Sequence, residues 1–516
     1  MTRGEHDVGG GPDVLIRGTT ILDPHRPLEP ADVRISGPYI AEIGTRLERG
    51  GATEIDATGM LLMPGLINAH THSGQSLDRG FAPCLPLDLW MIWVVFGGVE
   101  PTPDDTYALV AAGALEMLRG GVTSVLDQPS IVLAQPTEHI EAIMSAYADV
   151  GIRAGVALML QDRDFLQSLP LHLLAAPPDT QPMFPPRDPQ QLAEILARYL
   201  ERWMGRHPRL QPMLGPSAPQ RCSDEFLSIV SELARSHRVG VHMHLLESKS
   251  QVFAGEARYG RSVLEYLGEL GLLGPHTSFA HGVWLSREEY GSLKRAGSTL
   301  VYNPVSNLRC GSGILPLQFL MDIGLSVAVG TDGAASNDDQ NMFEALKFGT
   351  LLQTLYGNHR TWPQAIDLWT ASLGGGAAAL DLPIGSLSPG SFADLVLLTL
   401  DRHALGPKET LVSSLVFAEH GESVHSVFVG GERVVDEGHS TRLTEGDVLA
   451  RAKAFRERAL EGWPRRQEVF ASVEPAISEM LRVVAHTELP VRRLADVDLG
   501  VSEGKHGHEL GRGGQG

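Results

Sequence analysis

Short apolar runs alternate with helical stretches through the centre of the chain. Eight such runs are present, and a segment with the spacing of an amphipathic helix follows each one. A strand followed by a helix, repeated in this way, is the pattern of a (β/α)₈ barrel. The sequence therefore predicts an α/β protein with a TIM-like barrel over residues 61–384. The runs are Leu61–Ala69, Gly121–Leu126, Ile152–Met159, Leu210–Gly215, Val239–His244, Thr277–His281, Thr299–Tyr302 and Leu325–Thr331.

The two flanks of this region share a different pattern, in which short strands are separated by glycine-containing turns. We predict that residues 13–60 and 385–445 form one small β-sandwich, built from both ends of the chain. Residues 446–516 begin with helical spacing and end in a polar tail rich in glycine and histidine. We expect their helices to pack on the sandwich or on a neighbouring subunit. The polar, glycine-rich residues 1–12 are predicted to be disordered.

Composition narrows the range of partners and compartments. The 516 residues carry a formal net charge of −20, which repels phosphate backbones and anionic membranes, so we predict no nucleic-acid partner. The cysteines Cys84, Cys222 and Cys310 lie far apart, which argues against a disulfide framework. The N-terminus has no apolar leader segment, and no run approaches the roughly 18 apolar residues of a membrane span. These features predict a cytoplasmic protein without a membrane partner.

The end of the first apolar run carries two histidines, His70 and His72. Side chains two residues apart on a strand point the same way, so both imidazoles can face one point in space. Two imidazoles on one face favour a divalent metal site.

Polar residues that can bind metal recur where other strands end. His244 closes the fifth run, His281 closes the sixth, and Asp332 follows the eighth. Active sites of barrels lie at the C-terminal ends of the strands, so these side chains are expected to converge with the first histidine pair. Glu247 follows His244 by three residues, at the same mouth. We expect His242 to be a packed or outward-facing residue rather than a ligand.

These motifs together resemble the amidohydrolase superfamily. The resemblance is to its triazine hydrolase and aminohydrolase group, which is related to cytosine, guanine and nucleoside deaminases, and it extends from about Asp13 to Leu443. The motifs that carry it are Met63–His72 (MPGLINAHTH), His244–Glu247 (HLLE), His281, Asn303–Asn307 (NPVSN), Gly330–Gly333 (GTDG), Gly385–Leu387 (GSL) and Ala393–Val396 (ADLV).

The resemblance implies a set of ligands and catalytic groups. His70, His72, His244 and Asp332 correspond to the metal ligands, Glu247 to the proton shuttle and His281 to the residue that orients the activated water. Such a donor set suits one divalent ion, first of all zinc, and iron(II) is compatible. A lysine-bridged metal pair is excluded, because the chain has no lysine before Lys249.

The predicted reaction is hydrolytic deamination of a nitrogen heterocycle, with release of ammonia. The metal makes a bound water nucleophilic at neutral pH. Asp332 then takes the first proton, Glu247 protonates a ring nitrogen and the leaving amine, and His281 stabilises the attacking oxygen. The resemblance also implies a homo-oligomer, either a dimer or a tetramer.

The substrate-binding groups are predicted to lie just after the first strand. The apolar segment 84–96 contains Trp90 and Trp93 and can form a lid over a flat ring, or pack on the barrel rim or in a dimer interface. Gln75 is the candidate polar group in the pocket.

Two departures from adenosine-type deaminases bear on the substrate. Those enzymes carry an acid shortly after the position of Trp90, where this chain has Phe96-Gly97-Gly98, and a histidine where it has Ser217. We therefore favour a free base of the guanine, pterin or triazine type over a nucleoside.

Three alternatives remain open. The first is hydrolysis of a cyclic amide or another C–N bond, or removal of chloride or alkylamine from a triazine. The second is an adenosine-like nucleoside deaminase. The third is a barrel that serves as a non-catalytic scaffold.

Overall fold

The computed structural model describes residues 13–24, 28–96, 98–175, 183, 187–355, 357–401 and 405–493. The predicted disordered N-terminus and the polar tail after residue 493 lie outside these ranges. None of the helices in the described part of the chain combines the length and the apolar character needed to cross a bilayer.

The strands fall into two sheets. The N-terminal flank contributes β1 (Val14–Ile21), β2 (Pro30–Ser36), β3 (Tyr39–Gly44), β4 (Thr53–Asp56) and β5 (Met60–Pro64). The centre contributes β6 (Leu66–Thr71), β7 (Val122–Asp127), β8 (Arg153–Leu160), β9 (Leu210–Pro216), β10 (Val241–Leu245), β11 (Thr277–His281), β12 (Thr299–Tyr302) and β13 (Ser326–Val329). The C-terminal flank contributes β14 (Leu395–Thr399), β15 (Val424–Val429), β16 (Glu432–Asp436) and β17 (His439–Ser440).

The central strands form the predicted barrel. They pair in sequence order, β6 to β13, in one eight-stranded parallel sheet. The backbone N–H of Asp332 donates to the His70 carbonyl at 2.9 Å and joins the two ends of this sheet. The strands are almost continuously buried, as expected where both faces of a parallel sheet are covered. The barrel architecture is therefore confirmed.

Helices surround the barrel and extend beyond it. Their bounds are α1 (Leu87–Val95), α2 (Pro103–Arg119), α3 (Pro136–Val150), α4 (Pro189–Trp203), α5 (Asp224–His237), α6 (Lys249–Tyr259), α7 (Val263–Glu269), α8 (Arg287–Ala296), α9 (Pro304–Arg309), α10 (Leu317–Asp322), α11 (Ala334–Asn337), α12 (Met342–Leu351), α13 (Ala365–Leu380), α14 (Leu411–Phe417), α15 (Glu445–Glu461) and α16 (Trp463–His486).

Both flanks contribute to one mixed sheet of nine strands, in which β5 pairs antiparallel with β14. The first apolar run is accordingly two strands rather than one, and the division falls at Gly65. A Cβ on Gly65 would lie 2.0 Å from the Thr123 side chain, so only glycine permits this close approach between the two sheets.

Of the two surfaces expected to receive the C-terminal helices, the flank sheet is not the one that α16 contacts, and packing on a neighbouring subunit stays a prediction. Helix α16 lies against α1, which covers the mouth of the barrel, and not on the flank sheet. Ile477 and Met480 of α16 share an apolar cluster with Leu89 and Ile92 of α1. The segment predicted as a lid therefore has a partner within the same chain.

Candidate metal centre and substrate cavity

The predicted metal ligands converge at the C-terminal mouth of the barrel. His70 and His72 come from the end of β6, His244 comes from β10, and Asp332 follows β13. The ligating atoms of His70, His72 and Asp332 lie within 4.8 Å of one another, as do those of His70, His244 and His281. All five side chains are buried. Residues separated by more than 250 positions along the chain thus face one point.

Hydrogen bonds determine which nitrogen each imidazole offers. His72 Nδ1 donates to the Gln128 carbonyl at 2.8 Å, and His244 Nδ1 donates to the Ser217 carbonyl at 2.7 Å. Each ring therefore presents a lone pair at Nε2, and these two atoms lie 3.2 Å apart. Two lone pairs cannot bond to each other. A cation between them removes the repulsion, and tetrahedral Zn–N bonds of about 2.0–2.1 Å would separate the nitrogens by about 3.3 Å.

His70 is oriented by another side chain. Its Nδ1 lies 2.8 Å from His242 Nε2, and His242 Nδ1 lies 2.7 Å from Ser278 Oγ. When His242 donates to Ser278, its Nε2 accepts from His70, and His70 Nε2 is left as a lone pair at the centre. The expectation for His242 was incomplete. His242 is packed and fully buried, but it faces the same side as His244, because the two are two residues apart on one strand.

Asp332 is held as an ionised carboxylate. Its Oδ1 accepts the backbone N–H of Gly333 at 2.8 Å, and its Oδ2 accepts the Ser306 hydroxyl at 2.5 Å. Burial by itself would raise the pKa of Asp332, but positive charge on the facing His70 and His72 imidazoles, when they are protonated, outweighs it and holds the pKa well below its usual value. A cation bound between the same nitrogens would act in the same direction. The residue adopts a left-handed φ of 63°, a strained conformation that is typical of functional sites.

The donor set fits a divalent ion. His70 Nε2 is buried, and the described residues give it no hydrogen-bond partner. Three imidazole nitrogens and one carboxylate oxygen match the preferences of zinc and similar ions. Lys249, the first lysine of the chain, donates to the Ala485 carbonyl at 3.2 Å and takes no part in the centre. A metal-binding role for this cluster follows from its chemistry.

Glu247 and His281 lie beside the predicted ligands. His281 Nε2 is 3.6 Å from Glu247 Oε2 and 3.9 Å from Asp332 Oδ2, and its Nδ1 pairs with Asn307 Oδ1 at 2.8 Å. Burial, assisted by the charge of Asp332, raises the pKa of Glu247. A carboxyl with a raised pKa keeps its proton closer to neutral pH, which suits a proton donor.

A cavity of about 500 Å³ opens onto this centre. Gln75 and Trp90, two of the predicted substrate-binding residues, line it together with Leu87, Met91 and Phe96. Gln75 is pressed against Gly333, where a Cβ would lie 1.9 Å from Gln75 Oε1. The apolar wall and few polar groups are typical of a small-molecule site.

Trp93 is a correction to the predicted set, because it does not line the cavity. Its indole N–H donates to the Phe81 carbonyl at 3.1 Å, and its ring packs edge-on against Trp463 and Phe470 of α16. The helical turn of α1 directs Met91 into the cavity and Trp93 away from it. Contact between Trp93 and a substrate is therefore not expected.

Three charged residues of the cavity were missed in the sequence. Glu100, Arg187 and Arg221 all line it. Glu100 is an acid ten residues after Trp90 and two residues beyond the Phe96–Gly98 segment. Arg187 and Arg221 stand in irregular segments with no periodic pattern, so no sequence signal placed them in the site.

Comparison with known proteins agrees with this geometry. Residues 61–434 match the amidohydrolase family. The chain is 32% identical over 445 residues to a 5'-deoxyadenosine deaminase from Methanothermobacter thermautotrophicus, covering 86% of this chain and 97% of that protein. A zinc-bound adenosine deaminase structure from Xanthomonas campestris superposes with a TM-score of 0.76 at 27% identity, covering 87% and 99% of the two chains. The zinc complex of an atrazine chlorohydrolase from Arthrobacter aurescens superposes with a TM-score of 0.78 at 25% sequence identity. This match covers 86% of this chain and 99% of that chain.

Proposed function

This chain belongs to the amidohydrolase family, and we propose that it is a metal-dependent aminohydrolase that replaces an amino group of a nitrogen heterocycle with oxygen and releases ammonia. The observation that carries the proposal is the convergence of three imidazoles, the Asp332 carboxylate and a buried Glu247 on one cavity. A non-catalytic scaffold would have no need of Glu247 and His281 beside the ligands.

The residues divide the work of the reaction. His70, His72, His244 and Asp332 would hold a divalent ion, which supplies Lewis-acid activation of water. Asp332, ionised, accepts the proton of the attacking water. Glu247, with its raised pKa, protonates the ring nitrogen beside the reacting carbon and then the leaving amine. His281 Nε2, for which the described residues provide no hydrogen-bond partner, is available to bond the attacking oxygen.

The substrate we favour is now an adenosine-like nucleoside. Relatives named for the deamination of 5'-deoxyadenosine and adenosine support this alternative over the free base inferred from the sequence. Glu100 at the cavity supplies an acid that can bind ribose hydroxyls. The free base remains the second candidate, because Ser217 stands where adenosine-type deaminases carry a histidine.

The proposal is tested by assaying ammonia release from the zinc-loaded protein on nucleosides, purines, pterins and triazines. We expect Glu247→Gln to keep its metal, measured by elemental analysis, and to lose about 10²–10⁴-fold in kcat, because the proton donor is removed. Glu256→Gln, which changes an exposed carboxylate of α6, is the control and should have the activity of the parent protein.

Other outcomes separate the alternatives. Chloride release from a chlorotriazine without ammonia release from any compound would favour dechlorination, the reaction for which the Arthrobacter relative is named. A protein that neither binds metal nor turns over any compound would be a scaffold.

Zinc as the resident ion, a homo-oligomeric state and a cytoplasmic location are part of the same proposal. Zinc is the ion bound in both related structures. Elemental analysis of the purified protein and its mass in solution test the first two points.

A further inference from the structure

Arg221 is a buried cation on the wall of the cavity. It ends the short 3₁₀ turn Pro219–Arg221, which follows β9 at the mouth of the barrel. The turn is held firmly, since Arg221 N donates to the Ala218 carbonyl at 3.0 Å and the Arg221 carbonyl accepts from Arg163 N at 3.2 Å. Arg221 is 7% exposed, yet it contributes to the lining of the substrate cavity.

The guanidinium of Arg221 has no hydrogen-bond acceptor among the described residues. Its Nε is buried without a partner, as is the Nε of Arg258, but the Nη atoms of Arg221 also have no acceptor among the described residues, and no carboxylate in the described ranges lies within ion-pair distance of them. The acids that influence it are Glu247 and Asp88, and Asp88 already accepts the Ser250 hydroxyl at 2.8 Å. The guanidinium lies over the Phe165 ring, with Cζ 5.3 Å from the ring centroid.

The neighbouring Arg258 shows what a structural arginine looks like in this part of the fold. Its Nη2 donates to the Cys222 carbonyl and to Asp224 Oδ1, both at 2.9 Å. A buried charge without such partners destabilises the folded chain, so its presence needs another explanation. Burial lowers the pKa of Arg221, in keeping with an uncompensated cation.

The surroundings indicate what Arg221 is available to bind. Ser217 Oγ, four residues earlier in the same segment, is also buried without a partner and lines the cavity. Arg187 adds a second positive charge to the lining. Of the acids, Asp332 and Glu247 belong to the metal centre, and Glu100 is exposed. The planar guanidinium fork matches a carboxylate or phosphate through two parallel hydrogen bonds.

We propose that Arg221 is a specificity-determining residue that binds an anionic oxygen group, a carboxylate first of all, carried by the heterocyclic substrate. The inference rests on the proposed deaminase function and names the substrate class within it. The enzyme then prefers acid-bearing heterocycles to their neutral counterparts.

Matched substrate pairs test this preference. One pair is adenosine 5'-carboxylate and 5'-deoxyadenosine, and the other is pterin 6-carboxylate and pterin, which covers the free-base candidate. We expect the acid to have the higher kcat/KM in the pair that is turned over. Arg221→Met should raise KM for the acid by at least about 30-fold and change that for the neutral partner by less than about threefold. Arg221→Lys should recover only part of the loss, because ammonium lacks the fork.

Stability separates this role from a structural one. Arg221→Met should leave the thermal midpoint unchanged or raise it, since an unpaired buried charge is removed. Arg258→Met is the matched control and should lower the midpoint without altering the preference for acids. Equal kinetic effects of Arg221→Met on both members of a pair, no preference in the parent enzyme, or a fall in stability like that of Arg258→Met would overturn the inference.

Failure of the proposed function would be seen separately, as a lack of ammonia release from every compound. In that case calorimetric titration of the acids against the parent protein and Arg221→Met still tests the anion site. Binding that is lost in the variant supports it, and equal or absent binding overturns it.

Discussion

At the scale of single residues, each imidazole of β6 and β10 that we propose as a metal ligand is fixed by an acceptor behind it. For His72 and His244 that acceptor is a backbone carbonyl, from Gln128 and Ser217. For His70 it is the side chain of His242. Partners behind metal ligands orient the ring and select its tautomer. His242 is therefore the place where this arrangement can be changed by substitution without touching a ligand.

We expect His242→Ala to weaken metal affinity by about 10–100-fold, because His70 loses the acceptor that keeps its Nε2 unprotonated. His242→Gln should recover part of the loss, since its amide oxygen can accept the same hydrogen bond. Competition with a chelator measures the affinity. His139→Gln changes a buried histidine of α3, bonded to Thr106 at 2.8 Å, and should leave affinity unchanged. If His242→Ala also leaves it unchanged, His242 only fills space.

The site residues that were best predicted from the sequence are those at the C-terminal ends of predicted strands. His70, His72, His244, His281 and Asp332 stand at strand ends, and parallel strands bring their ends together whatever the loops do. His242 was expected to be packed, as it is, but its contact with His70 was not foreseen, because that contact depends on a side chain from β6 meeting one from β10. Arg221 and Glu100 were missed because irregular segments carry no periodicity.

At the scale of elements, helix α1 forms one wall of the cavity and depends on α16. Arg466 of α16 donates to the carbonyls of Trp93 and, at 2.8 Å, Val94, which end α1 without helical partners. Its guanidinium also lies 4.5 Å above the Phe81 ring. The sequence indicated the C-terminal helix and an apolar segment at α1 but not their contact, because each has apolar residues that could face several neighbours.

We expect Ile477→Ala to loosen α1 and raise KM by about 3–10-fold with a smaller change in kcat. Removing a buried isoleucine costs about 2–5 kcal/mol, and here the loss falls on the interface that positions Trp90. Steady-state kinetics and calorimetry measure both effects. Leu460→Ala, at a side chain that is 49% exposed, is the control. A lower thermal midpoint with unchanged KM would limit α16 to a role in stability.

At the scale of the whole molecule, the barrel and the flank sheet are joined by a buried ion pair. Arg153 of β8 bonds Asp394, just before β14, through Nε at 2.7 Å and Nη2 at 3.0 Å. Asp394 also accepts Gly430 N at 2.7 Å, and its carbonyl accepts Gly65 N at 2.9 Å, at the point where β5 passes into β6. The Ala393–Val396 motif, which contains Asp394, therefore serves the junction between the sheets and not the metal centre.

The division of the first apolar run at Gly65 could not be predicted from the apolar pattern, because both strands are equally buried.

We expect Asp394→Asn to lower the free energy of unfolding by about 3–5 kcal/mol, because it leaves the Arg153 charge buried and uncompensated. The double variant Arg153→Met with Asp394→Asn should lose less than the sum of the two single changes, since the stranded charge is gone. Calorimetric midpoints of all three proteins give the comparison. Arg198→Met breaks an exposed pair with Glu194 and should shift stability by less than about 1 kcal/mol. If the loss of unfolding free energy in the double variant equals the sum of the two single losses, the ion pair does not couple the two sheets. Each residue then stabilises only the sheet to which it belongs.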